Sequence, residues 1–270
     1  MKIATFNVNG IDGRWANLKE WLTAEQPDVV CLQQLEVPRG RFPAALRELG
    51  YESIWQDRRP WHGVAILSRE GQLIERRRGL PGDPADSGYI EAVVNGVTVA
   101  CIYAPSPNRN FGPMFEYKID WLERLKKHAA SLVARAHPVV LAGDFSIVPT
   151  ELDVYDPARW KKDARLHPRS RTAYLDLLKQ GWTDTIRSRQ PDERIYTFWD
   201  AQASHWPGNE GLRVDHLLTN AAAACRVSAV GVDTWARGLP TAGEHAPAWI
   251  VLRNSTGRDA VRRPESASKR

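Results

Sequence analysis

Short apolar runs alternate with amphipathic stretches along this chain, the pattern of strands and helices built into an α/β fold. Ile3–Phe6 is a short apolar run closed by Asn7-Val8-Asn9-Gly10, so it reads as a strand ending in a turn. Trp15, Leu18, Trp21 and Leu22 then recur at helical spacing. Pro27-Asp28 leads into Val29–Leu32, a continuous apolar run of the kind buried on both faces. Phe42, Leu46 and Leu49 mark a second helix, closed by Gly50. Strands are expected over Tyr51–Gln56 and Gly63–Ser68. Two more, Tyr89–Val94 and Thr98–Tyr103, flank Asn95-Gly96, a strong type I′ hairpin signal. A long helix from about Met114 to Ala134 carries Trp121, Leu122, Leu125, Leu132 and Val133 on its apolar stripe. Pro138–Ala142 is again a buried strand, and a helix follows near Arg171–Gln180. Val214–Leu218, Ser228–Val232 and Ala248–Leu252 are the last strands.

Hairpins mixed with strand–helix units imply two mixed sheets with helices outside them. No linker divides the chain and no internal repeat shows at the residue level. Residues 1–253 are therefore expected to form one domain. The polar segment 254–270, with Arg262, Arg263, Lys269 and Arg270, reads as a disordered basic tail.

Composition narrows the class. With 270 residues the chain can bury a substantial core, and 43% apolar against 26% charged residues fits a soluble globular protein. Lys plus Arg number 37 and Asp plus Glu 32, a formal net charge of +5. That balance suits an anionic partner such as nucleic acid, and equally an ordinary solvated surface. Cys31, Cys101 and Cys225 are odd in number, and none forms a Cys-x-x-Cys pair. That argues against a disulfide framework or a thiolate zinc site, and a reducing, cytoplasmic setting fits. No apolar run approaches the ~20 residues that span a bilayer, so no membrane partner is expected.

Polar groups cluster just past the ends of the apolar runs, the rim where α/β folds build their sites. Asn7, Gln33-Gln34-Leu35-Glu36, Tyr103, Gly143-Asp144-Phe145-Ser146, Asp215-His216 and Glu244-His245 all sit there. Each alone has a plain explanation as a turn former, cap or satisfied core group. Six such placements together point to a site.

The blocks Thr5–Gly10, Gln26–Gln33, Gly63–Leu67, Arg78–Asp83, Gly143-Asp144, Pro149–Asp153, Gly211–Asp215 and His245-Ala246-Pro247, in that order, resemble the exonuclease III family. The resemblance spans about residues 1–252. It implies a four-layered α/β sandwich of two mixed sheets flanked by helices. It also implies a DNA-repair phosphodiesterase, an AP endonuclease or 3′–5′ exonuclease using Mg2+, with Mn2+ as the alternative metal. The implied partner is double-stranded DNA, at an abasic site or a 3′ end, bound by a monomer.

Position by position, the resemblance implies Tyr103, Asp144, Ser146, Asp215 and His245 as catalytic residues. Tyr103 would contact the scissile phosphate, and Asp144 would activate water or protonate the leaving oxygen. Asp215 would support the site, and His245 would bind the phosphate. Asn7, Gln34, Asp144, Ser146, Glu244 and His245 are implied for the metal region. Asn9, Phe198, Trp199, Trp206 and Leu212 are implied for the substrate, the aromatics walling an abasic-sugar pocket.

Three positions depart from the family pattern. Gln34 stands where the family has a metal-ligand Glu, removing a full negative charge from a hard-cation shell. Ser146 replaces a phosphate-orienting Asn, with shorter reach and no amide donors. Glu244 replaces an Asp and is one methylene longer. Glu36, two residues past Gln34, falls on the same face of an extended strand; it either supplies the missing carboxylate or is a solvated strand-end residue, the second being the simpler reading. Two functions remain open: an active but atypical nuclease, or a paralogue that binds DNA without cutting. A phosphatase of the same fold is a third. Arg58, Arg59, Trp61 and His62, the run Arg76–Arg78, and Lys161, Lys162, Arg165, Arg169 and Arg171 are candidate phosphate contacts, or equally plain surface charges.

Overall fold

A computed structural model describes residues 1–36, 42–58, 62–69, 71–82, 88–106, 112–201 and 205–254. The strands are β1 (Lys2–Asn7), β2 (Val29–Gln33), β3 (Glu52–Arg58), β4 (His62–Ser68), β5 (Leu73–Arg78), β6 (Tyr89–Val94), β7 (Val97–Tyr103), β8 (Val139–Asp144), β9 (Thr183–Asp184), β10 (Asp215–Thr219), β11 (Val227–Val232) and β12 (Ala248–Leu252). The helices are α1 (Ile11–Glu25), α2 (Phe42–Glu48), α3 (Pro113–Val133), α4 (Pro168–Lys179), α5 (Thr185–Arg189) and α6 (Ala221–Ala224).

Period-two alternation decides the layers. In β2, Val29 and Cys31 face the second sheet, while Val30 and Leu32 face outward. The inward set meets Val99, Cys101, Val140 and Ala142 of the other sheet in a core that excludes water. The outward set is covered by Leu18, Trp21 and Leu22 of α1 and Leu46 of α2. On the far side, Trp121, Leu122 and Leu125 of α3 and Tyr174 and Leu177 of α4 cover Ala100, Ile102, Val139 and Leu141. The four layers are helices, sheet, sheet, helices, the architecture implied by the family resemblance. Each fully buried Leu or Val contributes roughly 1.5–3 kcal/mol, so these three apolar interfaces dominate stability.

The sheets run β3-β4-β2-β1-β12-β11 and β5-β6-β7-β8-β10-β9. Each holds one parallel pair at its centre, β1 with β2 and β7 with β8, and antiparallel strands on either side. The two sheets therefore share one orientation pattern, although the sequence shows no repeat. The hairpin signal at Asn95-Gly96 is realised, with φ of 47° and 77° as a type I′ turn requires.

Sequence patterning misses some elements. β5 reads as a basic run because it is an edge strand with an exposed outer half and a bulge between Glu75 and Arg77. The short β9, α5 and α6 carry too few residues for a period. Residues 255–270, including the basic tail from Arg262, lie outside the described residues. No described helix is long and apolar enough to cross a membrane. All three cysteines are free, with Cys31 and Cys101 buried.

The long connection after β8 is held by one buried cation. Arg213 is fully buried and binds Asp153 through Nε at 2.6 Å and Nη2 at 3.2 Å. It also binds Asp184 through Nη1 at 3.0 Å and Nη2 at 2.8 Å. Burial alone would raise both carboxyls, but the Arg213 charge outweighs it and holds both below the ordinary range. The same charge, added to burial, pulls His216 down to about 4. Depressed carboxylates contribute stability above their unfolded pKa of about 4 and lose it as pH falls through the folded value. Arg213→Ala leaves buried Asp184 without its cation and Asp153 with Arg187 alone. Guanidinium denaturation at pH 7 is expected to show a loss of roughly 3–5 kcal/mol, and a loss below about 1 kcal/mol would show that water replaces the guanidinium.

Candidate active site

The parallel pairs bring their carboxyl ends to one edge of the sandwich. In the first sheet Asn7 lies beside Gln33, and in the second Tyr103 lies beside Asp144. The antiparallel neighbours begin at the same edge: Asp215 opens β10 opposite Asp144, and His245 precedes β12. Strand direction thus delivers Asn7, Tyr103, Asp144, Asp215 and His245 to one place. Gly143 allows it, because a Cβ there would stand 1.9 Å from the Ile102 carbonyl oxygen.

Three groups form the centre. His245 Nδ1 donates to Asp215 Oδ2 at 2.8 Å, and its Nε2 lies 4.0 Å from Asp144 Oδ2. Ligand-type atoms of Asp144, Asp215 and His245 fall within 4.8 Å of one another, and all three residues are buried. Asp215 Oδ1 is buried without a hydrogen-bond partner among the described residues. Burial disfavours the charged imidazole, yet Asp215, with Asp144 and Glu244 behind it, prevails and raises the His245 pKa. Burial also raises Asp144, and the Asp215 charge adds to it. Opposing that rise are His245, the Asn7 amide donating to Asp144 Oδ2 at 3.0 Å, and the Ser146 N–H donating to Asp144 Oδ1 at 2.7 Å.

The residues implied for the metal divide into two groups. Asn7, Asp144 and His245 belong to the centre just described; the Asn7 oxygen is engaged by the Asn9 N–H at 3.0 Å. Ser146, at φ 52°, turns its hydroxyl onto Ser106 at 2.8 Å. Gln34 and Glu244 belong to a second group beside it, with Asn9. There Gln34 Nε2 lies 3.3 Å from Asn9 Oδ1, and Asn9 Nδ2 lies 3.4 Å from Glu244 Oε2. Tyr103 joins the groups, its hydroxyl donating to Gln34 Oε1 at 3.3 Å. Burial, then the charges of Asp144 and Glu36, raise the Tyr103 pKa, so the phenol stays protonated as a donor. The second group offers carboxylate and amide oxygens, the donor chemistry of a hard divalent cation, so the residues present fit Mg2+ or Mn2+.

Glu36 departs from the extended-strand expectation. β2 stops at Gln33, and Gln34 and Glu36 adopt left-handed φ of 52° and 49°. Two-residue alternation therefore fails there, and the turn itself brings Glu36 Oε1 to 3.2 Å from Gln34 Nε2.

Phe198 lines the site, its ring 5.0 Å from that of His245, and it bridges Leu212 and His245 through the backbone. Trp199 does not share that face. It is 1% exposed, packs on Tyr196 and Trp206, and spends its indole N–H on Asn209. Trp206 lies behind it, under the Arg237 guanidinium. Of the candidate phosphate contacts, Arg78, Arg165, Arg169 and Arg171 are paired with Glu75, Asp163, Glu116 and Glu151, while Arg76, Arg77, Lys161 and Lys162 are exposed. Nothing is described of the side chains of Arg58, Arg59, Trp61 and His62.

Two residues escape sequence reasoning. Ser106 gives no signal of its own. Lys118 does: it is a lone cation on the apolar stripe of α3, between Phe115 and Trp121. Fully buried, it donates to the Ser146 carbonyl at 2.5 Å, and burial pulls its pKa down to about 7.

Residues 4–248 match the family model described as the endonuclease/exonuclease/phosphatase family. The chain belongs to that family. Exodeoxyribonuclease III of Haemophilus influenzae is 28% identical over 94% of this chain and 100% of its own length. The 3′–5′ exonuclease NExo of Neisseria meningitidis superposes with a TM-score of 0.89 and 33% identity, covering 93% of this chain and 99% of its own. A further structure, of the 3′ phosphatase NExo from Neisseria bound to product DNA hairpin, gives 0.88 and 32% over 94% and 99%. An AP endonuclease from Archaeoglobus fulgidus gives 0.88 and 31% over 93% and 99%.

The His245–Asp215 contact makes a measurable claim about this family member. The imidazole proton resonances of His245 are expected to titrate above pH 6.5 in the native protein. In Asp215→Asn, burial acts with less opposition and the midpoint falls. An unchanged midpoint would show that Asp215 does not set the charge on His245.

Proposed function

We propose that this chain is a metal-dependent DNA-repair phosphodiesterase that cuts duplex DNA at abasic sites or trims 3′ ends. The observation that carries the reading is the buried Asp144–His245–Asp215 centre at the mouth of the two sheets. Relatives named as exodeoxyribonuclease III, AP endonuclease and 3′–5′ exonuclease support the substrate class, and a neighbour bound to a DNA hairpin supports DNA as partner. We assign Mg2+ as the metal, with Mn2+ as substitute, a monomeric state and a cytoplasmic setting, the last two from the family resemblance and the free buried thiols.

Each group has a task in hydrolysis. His245, kept cationic by Asp215, binds a non-bridging phosphate oxygen and opposes the charge that develops on it. Asp144, with its raised pKa and its orientation fixed by Asn7 and the Ser146 N–H, accepts the proton of the attacking water as the water oxygen bonds to phosphorus. The P–O bond opposite then breaks, the leaving oxygen takes up a proton from solvent, and Asp144 returns its proton to solvent, so that one water is added across the bond. Tyr103 donates to the phosphate, and Phe198 and Leu212 form an apolar wall. Asn9, Gln34 and Glu244 would hold the divalent ion, which when bound neutralises phosphate charge.

Asp144→Asn removes the proton acceptor while keeping size. Cleavage of a labelled duplex with one abasic site, or with a recessed 3′ end, is expected to fall ~100- to 10,000-fold, with gel-shift affinity retained. Cutting at the native rate by this variant would overturn the assignment of Asp144. Absence of any metal-dependent product from the native protein, with DNA binding intact, would make it a binding paralogue. Release of phosphate from small esters without regard to duplex DNA would make it a phosphatase.

A further inference from the structure

We infer that Glu36 supplies the carboxylate that Gln34 does not, so that the divalent ion is held by Glu36 and Glu244 with the amide oxygens of Asn9 and Gln34. The inference rests on the metal-dependent reading above and concerns the composition of that site.

The backbone makes the exchange feasible. A glutamate at position 34 would bring its charge directly from the end of β2. With glutamine there, the two left-handed residues fold the chain back after one further step. The carboxylate of Glu36 then comes to the Gln34 amide, at 3.2 Å, instead of continuing along the strand. Left-handed φ at a glutamine and a glutamate costs of order 1 kcal/mol each, so the surrounding contacts must hold the turn. They are the Gly10 N–H on the Gln34 carbonyl at 2.8 Å and the Ile11 N–H on the Leu35 carbonyl at 2.9 Å.

Gly10 provides the room. Its φ of 87° favours glycine, and a Cβ at that position would stand 3.0 Å from Glu36 Oε2, so the carboxylate would have to give way. The Gln34 amide contacts are long, 3.2 and 3.3 Å, and they pair its NH2 with one carboxylate and one amide oxygen. A half-turn of that amide exchanges NH2 for oxygen. The Gln34 and Asn9 oxygens then lie beside the Glu36 carboxylate, with Glu244 next along the same run of contacts, and two carboxylates with two amide oxygens are the charge and hardness that Mg2+ or Mn2+ requires. The competing partner is Arg14, whose Nη1 stands 3.6 Å from the same Gly10 Cβ position. If Glu36 serves only Arg14, it has no part in metal binding.

Mn2+ titrated into the full-length protein, followed by calorimetry and by loss of the free-ion electron paramagnetic resonance signal, separates the cases without reference to activity. Glu36→Gln is expected to weaken Mn2+ binding about tenfold or more, with the melting curve in chelator unchanged. The double variant Gln34→Glu, Glu36→Gln is expected to recover the affinity, since it restores one carboxylate to the same space. Native Mn2+ affinity in Glu36→Gln, or no recovery in the double variant, would overturn the role of Glu36 and leave the phosphodiesterase reading standing. No Mn2+ binding by the native protein would overturn the metal-dependent reading itself, and this inference with it.

Discussion

Two buried carboxylates, Asp144 and Asp215, stand against one histidine, and the site depends on the charge that the histidine carries. Like charges a few ångströms apart in a dry setting cannot both remain ionised without a cation between them. Asp215 holds His245 at 2.8 Å, and His245 Nε2 faces Asp144 at 4.0 Å, so one imidazolium serves both. The same arrangement orients the ring, while burial and then the Asp215 charge raise the Asp144 carboxyl against the opposing pull of His245. Charge balance and catalytic fitness are here one electrostatic problem.

The fold solves the problem of bringing those groups together. Each sheet has a central parallel pair, and parallel strands end at the same edge. The Asn7 amide crosses from the first sheet to Asp144 of the second at 3.0 Å, between layers that meet mainly through apolar side chains, with the Cys101 thiol also touching Gln33 and the Leu32 carbonyl. Behind this edge, two cations stiffen the loops. Arg213 ties Asp153 and Asp184 immediately before Asp215, and Lys118 reaches from α3 to the carbonyl of Ser146. Neither touches the centre, yet both act on the residues that form it. An unsatisfied buried carbonyl or carboxylate would otherwise cost ~1–3 kcal/mol or more at each point.

The three departures from the family pattern have different standing in the structure. Glu244 keeps its charge and meets Asn9 and the Ala201 N–H, so its extra methylene is accommodated by the loop around it. Ser146 is too short to replace an amide, but it pairs with Ser106 and still presents its N–H to Asp144. Gln34 loses a charge, and the chain turns a second carboxylate towards it within two residues. The site is altered at its edge and at Ser146, and it keeps Asp144, Asp215 and His245 together at its centre.

Apolar periodicity alone was enough for the α/β class, the main helices, the buried central strands and the Asn95-Gly96 hairpin, because alternation and 3.6-residue spacing are local properties of the chain. Motif order was enough to assemble Asn7, Tyr103, Asp144, Asp215 and His245 as one set. Edge strand β5 stayed hidden, since backbone pairing leaves no mark on an exposed, charged side. The matching orientation of the two sheets stayed hidden too, because pairing partners lie far apart in sequence. Tertiary structure alone separated Phe198, which faces His245, from Trp199, which is packed away from it, although the two are neighbours in sequence. It also decided that Glu36 meets Gln34 through a left-handed turn instead of along a strand. Residue types and their spacing declare which chemistry is available; only the packed backbone sets the distances and burial on which charge, pKa and coordination depend.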